Sequence, residues 1–289
     1  MHEPPRIHAI VVCGAGTMGA GIAQLAVQHG FHTVLFDRDA AALGAARGRI
    51  GEGLRRAAAK AGTDAAEADR AMDRLNATTD LHDGIGDIVI EAVTERMDAK
   101  VALLGQLAEI NHSDTILASN TSSLSVTALA RALPHPGRVC GMHFFNPAPL
   151  MRLVEVVHTP LTRPEVIEAV IALAQALGRE PVACRDAPGF IVNRVARPYY
   201  LEALRLAERG EATPATVDDL MRSFGFRMGP FQLMDLIGND VNLAVSQSLW
   251  EACGRPERLR PSALQQSKVD AGALGRKTGS GFFDYPAGA

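Results

Sequence analysis

The chain has 289 residues, enough to bury a sizeable core in one large or two smaller domains. Its formal net charge of -3 lacks the basic excess with which proteins hold nucleic acid or anionic membranes, and no apolar stretch reaches the length of a membrane span. Widely spaced cysteines in apolar contexts favour buried free thiols in a reducing compartment. These cysteines are Cys13, Cys140, Cys184 and Cys253. We therefore expect a cytoplasmic protein with no nucleic-acid partner and no membrane partner.

Strand-like and helix-like segments alternate over the first 184 residues. The apolar runs predict strands at 7–13, 31–37, 87–93, 115–120, 138–145, 152–158 and 181–184. Helical patterns lie between several of them, at 22–30, 39–60, 64–75 and 164–177. Such alternation is typical of parallel βαβ units, so we predict an α/β fold with a doubly wound, mostly parallel sheet.

The apolar spacing becomes helical after residue 184. Helices are predicted near 188–209, 214–223, 229–252 and 261–272, and no convincing strand follows them. We therefore predict a domain boundary at 184/185. The first domain spans 1–184 and contains the sheet, and an all-helical second domain spans 185–289.

A glycine-rich turn, GAGTMGAG, joins the first strand to the first helix. It matches G-x-G-x-x-G and comprises Gly14, Gly16, Thr17, Met18 and Gly19. The first glycine allows a tight turn, the second admits a pyrophosphate, and the third lets the helix pack closely on the strand. Free N–H groups at the helix N-terminus then attract the anion. The turn predicts a Rossmann-type dinucleotide site.

Asp37 ends the second strand, eighteen residues after Gly19. A carboxylate at this point accepts hydrogen bonds from the adenosine ribose hydroxyls and repels a 2′-phosphate, which favours NAD over NADP. Arg38, the next residue, is the one feature that could soften this preference. The predicted cofactor is NAD.

A dinucleotide site makes hydride transfer plausible without naming the substrate. No histidine has metal-ligand spacing with a cysteine or a second histidine, so a zinc dehydrogenase is disfavoured and no metal is expected. No G-x-S-x-G occurs, which disfavours a serine hydrolase.

His143 comes directly after GRVCGM, near the carboxyl end of the strand predicted at 138–145, where open α/β sheets bind ligands. Oxidation of an alcohol requires a base for the hydroxyl proton, and histidine has a suitable pKa. Glu155 interrupts the apolar run LVEVV, where a carboxylate is costly to bury unless it is paired. A return of the chain through the loop at 147–149 could place Glu155 opposite His143. The spacing alone leaves a solvated edge carboxylate equally open.

Three long motifs, SNTSSLSVTALA, HFFNPAPLMRLVEVV and DAPGFIVNRVARPYYLEA, carry a family resemblance that extends from GAGTMGAGIA to GRKTGSGFFDY. The chain resembles the L-3-hydroxyacyl-CoA dehydrogenases, of the bacterial 3-hydroxybutyryl-CoA dehydrogenase type. The resemblance implies reversible, NAD-dependent oxidation of an L-3-hydroxyacyl-CoA, such as 3-hydroxybutyryl-CoA, to the 3-oxoacyl-CoA, as in fatty acid β-oxidation. It also implies a helical second domain for substrate binding and a homodimer formed through that domain.

The resemblance also implies roles for individual residues. The base of the family and its carboxylate partner match His143 and Glu155. Two residues that contact the substrate in the family match Ser122 and Asn193. Positions near the cofactor and the base match Glu95, Lys100, Asn120 and Asn146. Lys60 aligns with a lysine that binds a CoA phosphate in relatives.

Several alternatives stay open. Ser122 could instead cap a helix that begins near Val126, and Lys60 with Arg55 and Arg56 could form an ordinary solvated helix face. A gulonate dehydrogenase of the same superfamily and a non-catalytic, crystallin-like NAD-binding protein are the alternative functions. The acyl chain is not determined, although DLIGNDVNLAV at 235–245 is similar to relatives that handle 3-hydroxyadipyl-CoA.

Overall fold

The computed structural model describes residues 7–285. The chain divides into two units, of which the first ends at Phe190 and the second begins at Ile191. This division lies six residues beyond the boundary predicted at 184/185. The difference arises because the turn that follows the last strand belongs to the first unit. In that turn, Asp186 accepts hydrogen bonds from Ser125 Oγ and Thr127 N, at 2.8 and 2.7 Å.

One eight-stranded sheet forms the centre of the first unit. Its strands are β1 (Ala9–Cys13), β2 (His32–Phe36), β3 (Leu75–Thr78), β4 (Ile88–Glu91), β5 (Ile116–Ser119), β6 (Val139–Phe144), β7 (Leu153–His158) and β8 (Glu180–Arg185). The order is β3-β2-β1-β4-β5-β6-β7-β8, and every neighbouring pair is parallel except β6 and β7. The strand order reverses between β1 and β4, which opens a crevice at their carboxyl ends. The predicted doubly wound, mostly parallel sheet is confirmed.

Helices cover both faces of this sheet. They are α1 (Thr17–Gln28), α2 (Ala40–Ala61), α3 (Ala65–Met72), α4 (Met97–Ile110), α5 (Val126–Arg131) and α6 (Pro164–Ala176). Successive residues of β1 enter opposite cores: Ile10 and Val12 join one cluster, whereas Val11 and Cys13 join the other. A strand buried on both faces explains the continuous apolar run in the sequence.

Helix α2 shows how local chemistry sets its ends. The side chain of Asp39 accepts a hydrogen bond from Ala41 N at 2.8 Å, which caps the first turn. Gly62 follows the last turn with φ of 69°, the left-handed conformation that ends helices. This long helix therefore presents Lys60 in its last turn. Helix α5 is capped by Ser125, which accepts from Ala128 N, so Ser122 is not its cap.

The second unit is helical. Its helices are α7 (Val192–Glu208), α8 (Pro214–Ser223), α9 (Pro230–Ile237), α10 (Asn239–Ala252) and α11 (Ala263–Asp270). The single helix predicted at 229–252 is wrong, because Gly238 has φ of 104° and separates α9 from α10. Within residues 7–285, no helix combines the length and the apolar character needed to cross a membrane.

Candidate active site

The glycine-rich turn follows β1 and starts α1. Gly14 has φ of 104°, and a Cβ atom there would lie 2.7 Å from the carbonyl oxygen of Ala92. A Cβ atom on Gly19 would overlap the carbonyl oxygen of Gly14. These two glycines are therefore required by the backbone itself, whereas the space beside Gly16 is open and admits a ligand. Thr17 and Met18 form the first turn of α1, where free N–H groups suit a pyrophosphate.

Asp37 is tied to this turn. Its Oδ2 accepts a hydrogen bond from Ala15 N at 2.7 Å, and its Oδ1 accepts one from Asp39 N at 3.0 Å. Arg49 of α2 approaches the same turn and donates from Nη2 to the carbonyl oxygen of Ala15 at 2.9 Å. The carboxylate of Asp37 is thus held beside the turn, in the position expected for a ribose partner.

A buried cluster lies at the carboxyl end of β4. Glu91 is fully buried, and its Oε1 accepts a hydrogen bond from Lys100 Nζ at 2.6 Å. The same oxygen accepts from Val93 N at 2.8 Å, and Oε2 accepts from Ser119 Oγ at 2.7 Å. Both oxygens of this carboxylate therefore accept hydrogen bonds, three in all, and one of these comes from a charged donor. Neither Glu91 nor Ser119 was among the predicted site residues, although Glu91 interrupts the apolar run IVIEAV as Glu155 interrupts LVEVV.

Glu95 links this cluster to the turn that follows β5. Its Oε2 lies 3.2 Å from Lys100 Nζ. Its Oε1 accepts from Thr121 Oγ1 at 2.6 Å, and from the backbone N–H groups of Ser122 and Ser123 at 2.9 and 3.1 Å. Burial alone raises the pKa of Glu95, but the bond from Thr121 and the charge of Lys100 outweigh it and hold the pKa below its ordinary value. The carboxylate of Glu95 thus contacts four residues, of which Lys100 and Ser122 are predicted site residues and Thr121 and Ser123 are neighbours of Ser122.

His143 and Glu155 are direct cross-strand partners in the antiparallel pair β6 and β7. His143 Nδ1 lies 2.7 Å from Glu155 Oε2, and both side chains are buried. The rings of Phe145 and Phe190 lie against the imidazole, with centroids 4.6 and 5.7 Å away. Such a pair fixes the imidazole tautomer and can stabilise a positive charge on the ring.

The two predicted asparagines of the first unit lie at the same edge of the sheet. Asn120 follows β5, and its Oδ1 accepts a hydrogen bond from Phe144 N at 2.9 Å, which joins the ends of β5 and β6. Asn146 is exposed and precedes a cis peptide bond to Pro147. The structure thus brings His143, Asn120 and the turn at 121–123 to one edge of the sheet.

A groove of about 900 Å³ runs along α1, α2 and the loop at 147–150. Its basic lining consists of Arg49, Arg56 and Lys60, and apolar contacts come from Ile50 and Pro149. The helix face that carries Arg56 and Lys60, for which an ordinary solvated role was left open, is therefore one wall of a concave surface that offers three cations. Such a lining suits a ligand with phosphate groups.

The remaining predicted contact, Asn193, is the second residue of α7 and lies in the second unit. Within residues 7–285, no group of three or more His, Cys, Asp or Glu side chains could hold a metal ion. All four cysteines are free, and burial raises the pKa of the Cys140 thiol to about 12.

Comparison with known protein families identifies both units. Residues 9–187 match the model described as 3-hydroxyacyl-CoA dehydrogenase, NAD binding domain, and residues 189–285 match the 3-hydroxyacyl-CoA dehydrogenase C-terminal domain. The chain belongs to the 3-hydroxyacyl-CoA dehydrogenase family. The family resemblance and the cofactor predicted from the sequence, NAD, are thereby confirmed.

Two curated relatives illustrate the range of this family. A 3-hydroxyadipyl-CoA dehydrogenase from Escherichia coli is 46% identical over 283 residues, which cover 97% of this chain and 60% of that protein. The pig mitochondrial hydroxyacyl-coenzyme A dehydrogenase is 39% identical over 284 residues, which cover 96% of this chain and 90% of that protein. The chain therefore spans less than two thirds of the first relative and nearly all of the second.

Solved structures show the same fold. The crystal structure of 3-hydroxybutyryl-CoA dehydrogenase from Escherichia coli has a TM-score of 0.95 and 45% identity, and covers 99% of this chain and 61% of that one. The (S)-3-hydroxybutyryl-CoA dehydrogenase from Ralstonia eutropha has a TM-score of 0.93 and 39% identity, and covers 97% and 99% of the two chains.

Proposed function

We propose that the protein catalyses the reversible, NAD-dependent oxidation of an L-3-hydroxyacyl-CoA to the 3-oxoacyl-CoA. The observation that carries this proposal is the buried hydrogen bond of 2.7 Å between His143 Nδ1 and Glu155 Oε2. It supplies an oriented base at the carboxyl edge of a sheet that also carries a dinucleotide turn. The names of the relatives, which act on 3-hydroxyadipyl-CoA and 3-hydroxybutyryl-CoA, support the substrate class.

In this mechanism, His143 Nε2 accepts the proton of the substrate 3-hydroxyl while Nδ1 remains bonded to Glu155. The carboxylate holds the tautomer and stabilises the imidazolium that forms. Ser122 and Asn193 hold the substrate oxygens, which is an orientation effect. When NAD is bound at the glycine turn, it supplies the acceptor for the hydride that leaves C3. In the reverse direction the imidazolium of His143 returns the proton.

The basic groove supports an acyl-CoA substrate. Lys60, Arg49 and Arg56 would pair with the phosphates of CoA, while the apolar lining would contact the pantetheine arm. A free sugar acid such as gulonate has no phosphate to place there. The groove therefore favours a CoA thioester over the gulonate alternative.

We also propose that the protein is a cytoplasmic homodimer formed through its helical unit. Large apolar side chains remain exposed there, among them Phe224, Leu220 and Val195. Exposed apolar groups of this size are typical of protein interfaces.

The decisive variant is His143→Gln. Loss of the base should lower kcat for 3-hydroxybutyryl-CoA by about 10²–10⁴-fold, while the Kd for NADH stays near that of the unaltered protein. NADH formation measures kcat, and NADH fluorescence measures the Kd. The matched control is His82→Gln, which alters an exposed histidine and should change neither quantity. Turnover by the His143 variant at the unaltered rate would contradict the mechanism. Turnover of gulonate but not of the thioester would contradict the substrate class.

A further inference from the structure

Arg197 is a buried cation with no carboxylate partner among the described residues. It lies on α7 and is 3% exposed. Its Nη1 donates to Asn242 O, Asn242 Oδ1 and Ser246 Oγ at 2.9, 3.2 and 2.8 Å, and its guanidinium lies 4.9 Å from the ring centroid of Tyr200. All of these groups are neutral, and burial lowers the pKa of Arg197 to about 10. A desolvated charge without a counter-ion is unfavourable unless something else compensates it.

One edge of this guanidinium makes no hydrogen bond within the described chain. The three hydrogen bonds that Arg197 donates within the described chain all leave from Nη1, and Nε has no partner there. The edge formed by Nε and Nη2 is one of those on which arginine binds a carboxylate through two parallel hydrogen bonds. The protein contacts therefore fix the guanidinium through Nη1 and leave this edge of the fork without a hydrogen bond from the described chain.

Arg138 is a second buried arginine of the chain, and its hydrogen-bond partners differ from those of Arg197. It is 1% exposed and its Nε is also unpaired, but Nη1 donates to His112 O at 2.6 Å and Nη2 to Ala108 O at 3.3 Å. Ala108 lies in the last turn of α4, where carbonyls are unpaired and the helix dipole is negative. Asn242 lies in the first turns of α10, where the dipole is positive. The helix dipole thus stabilises Arg138 and does not stabilise Arg197.

Arg197 also lies one helical turn from Asn193. Residues four apart share a face of an α-helix and are separated by about 6 Å along its axis. If Asn193 contacts the substrate oxygens, Arg197 is placed for a group farther along the acyl chain. Three carbon–carbon bonds of about 1.5 Å each separate C3 from the terminal carboxyl carbon of a six-carbon diacid, so this span is somewhat shorter than the separation along the helix.

We propose that Arg197 binds a terminal carboxylate on the acyl chain, so that the enzyme prefers 3-hydroxyacyl-CoA thioesters of dicarboxylic acids over uncharged ones of equal length. This inference rests on the proposed function and narrows it to one substrate class. It makes Arg197 a specificity-determining residue.

The test compares 3-hydroxyadipyl-CoA with 3-hydroxyhexanoyl-CoA, which differ only in a carboxylate against a methyl group. The unaltered protein should show a kcat/KM at least about tenfold higher for the diacid, mainly through KM, because a charge-assisted pair is lost with the methyl group. In Arg197→Met this ratio should fall by about 10–100-fold. Arg197→Lys keeps the charge without the fork and should retain part of the preference. Arg209→Met, at the exposed end of the same helix, is the matched control and should leave the ratio unchanged.

A second measurement uses only the unaltered protein, so its result does not depend on whether the variants fold. Adipyl-CoA and hexanoyl-CoA lack the 3-hydroxyl and should inhibit 3-hydroxybutyryl-CoA oxidation, the former at a concentration at least about tenfold lower. Equal inhibition, or an unaltered protein that oxidises both six-carbon substrates equally, overturns the role of Arg197 and leaves the proposed function standing. A diacid preference that survives in Arg197→Met also overturns it. No NADH from any of the three substrates overturns the proposed function as well.

Discussion

Glu91 and Lys100 form a buried ion pair that anchors the cofactor edge of the sheet. Glu91→Gln removes the charge that Lys100 meets at 2.6 Å, and leaves it only the half-exposed Glu95 at 3.2 Å. Breaking a buried pair from one side should lower the free energy of unfolding by about 3–5 kcal/mol, measured by urea denaturation. Because Lys100 and Glu95 are predicted cofactor contacts, the KM for NAD should rise too.

The exposed pair between Arg152 and Glu180 provides the control for this substitution. Their atoms lie 2.5 Å apart, but both side chains are more than half exposed. Glu180→Gln should therefore lower the free energy of unfolding by about 1 kcal/mol at most. Equal losses for the two variants would show that burial of the Glu91 pair has no energetic consequence.

The sequence could predict some of these residues and not others for a physical reason. Glu155 and His143 flank a short loop, so a simple reversal of the chain suffices to oppose them. Glu91 finds its partner on α4, nine residues later, and its second contact on β5. Those contacts depend on where a helix and a neighbouring strand pack, which the local pattern does not contain.

At the scale of elements, Glu95 ties the start of α4 to the turn after β5. Its pKa in the folded protein lies below the ordinary value of 4.5. A depressed folded pKa means that the contribution of Glu95 to stability is fully present above the unfolded pKa and is lost as pH falls through the folded pKa. The difference in free energy of unfolding between the unaltered protein and Glu95→Gln should therefore shrink as the pH falls below the unfolded pKa of about 4.3.

Chemical denaturation at a series of pH values measures this difference. The control is Glu52→Gln, because Glu52 is exposed and lies as far as 4.0 Å from Arg56, with which it forms a weak ion pair. Its effect should be small at every pH. A Glu95→Gln difference that stays constant as the pH falls would mean that the hydrogen bonds from the 121–123 turn do not favour the carboxylate.

Elements with a strong hydrophobic pattern could be predicted from the sequence. The elements that were predicted wrongly have identifiable physical causes. Central strands such as β1 are buried on both faces and give continuous apolar runs. Edge strand β3 was missed because, of its four residues, only Leu75 is buried. The break between α9 and α10 was missed because a single glycine in a helical pattern does not reveal its φ. Packing and backbone conformation, rather than periodicity, determine these features.

At the scale of the whole molecule, the two units carry different parts of the proposed chemistry. In this proposal the first would hold the NAD site, the base and the CoA groove, whereas the second would contribute Asn193 and Arg197. The family models divide the chain at nearly the same place, between residues 187 and 189. Substrate specificity can therefore change through the helical unit while the hydride-transfer site stays the same.

The proposed homodimer should depend on the exposed apolar side chains of the helical unit. Phe224 is 82% exposed and Leu220, one turn earlier, is 65% exposed, which is unfavourable in water unless a partner covers them. Phe224→Asp should convert the dimer to a monomer in light scattering coupled to size-exclusion chromatography, because a charge would be buried without a partner. Ile85→Asp, at a 61% exposed position of the first unit, is the control and should leave the mass unchanged. A monomeric unaltered protein at micromolar concentration would contradict the proposal, and so would a Phe224 variant that remains dimeric. If Ile85→Asp also dissociates the dimer, the interface involves the first unit instead.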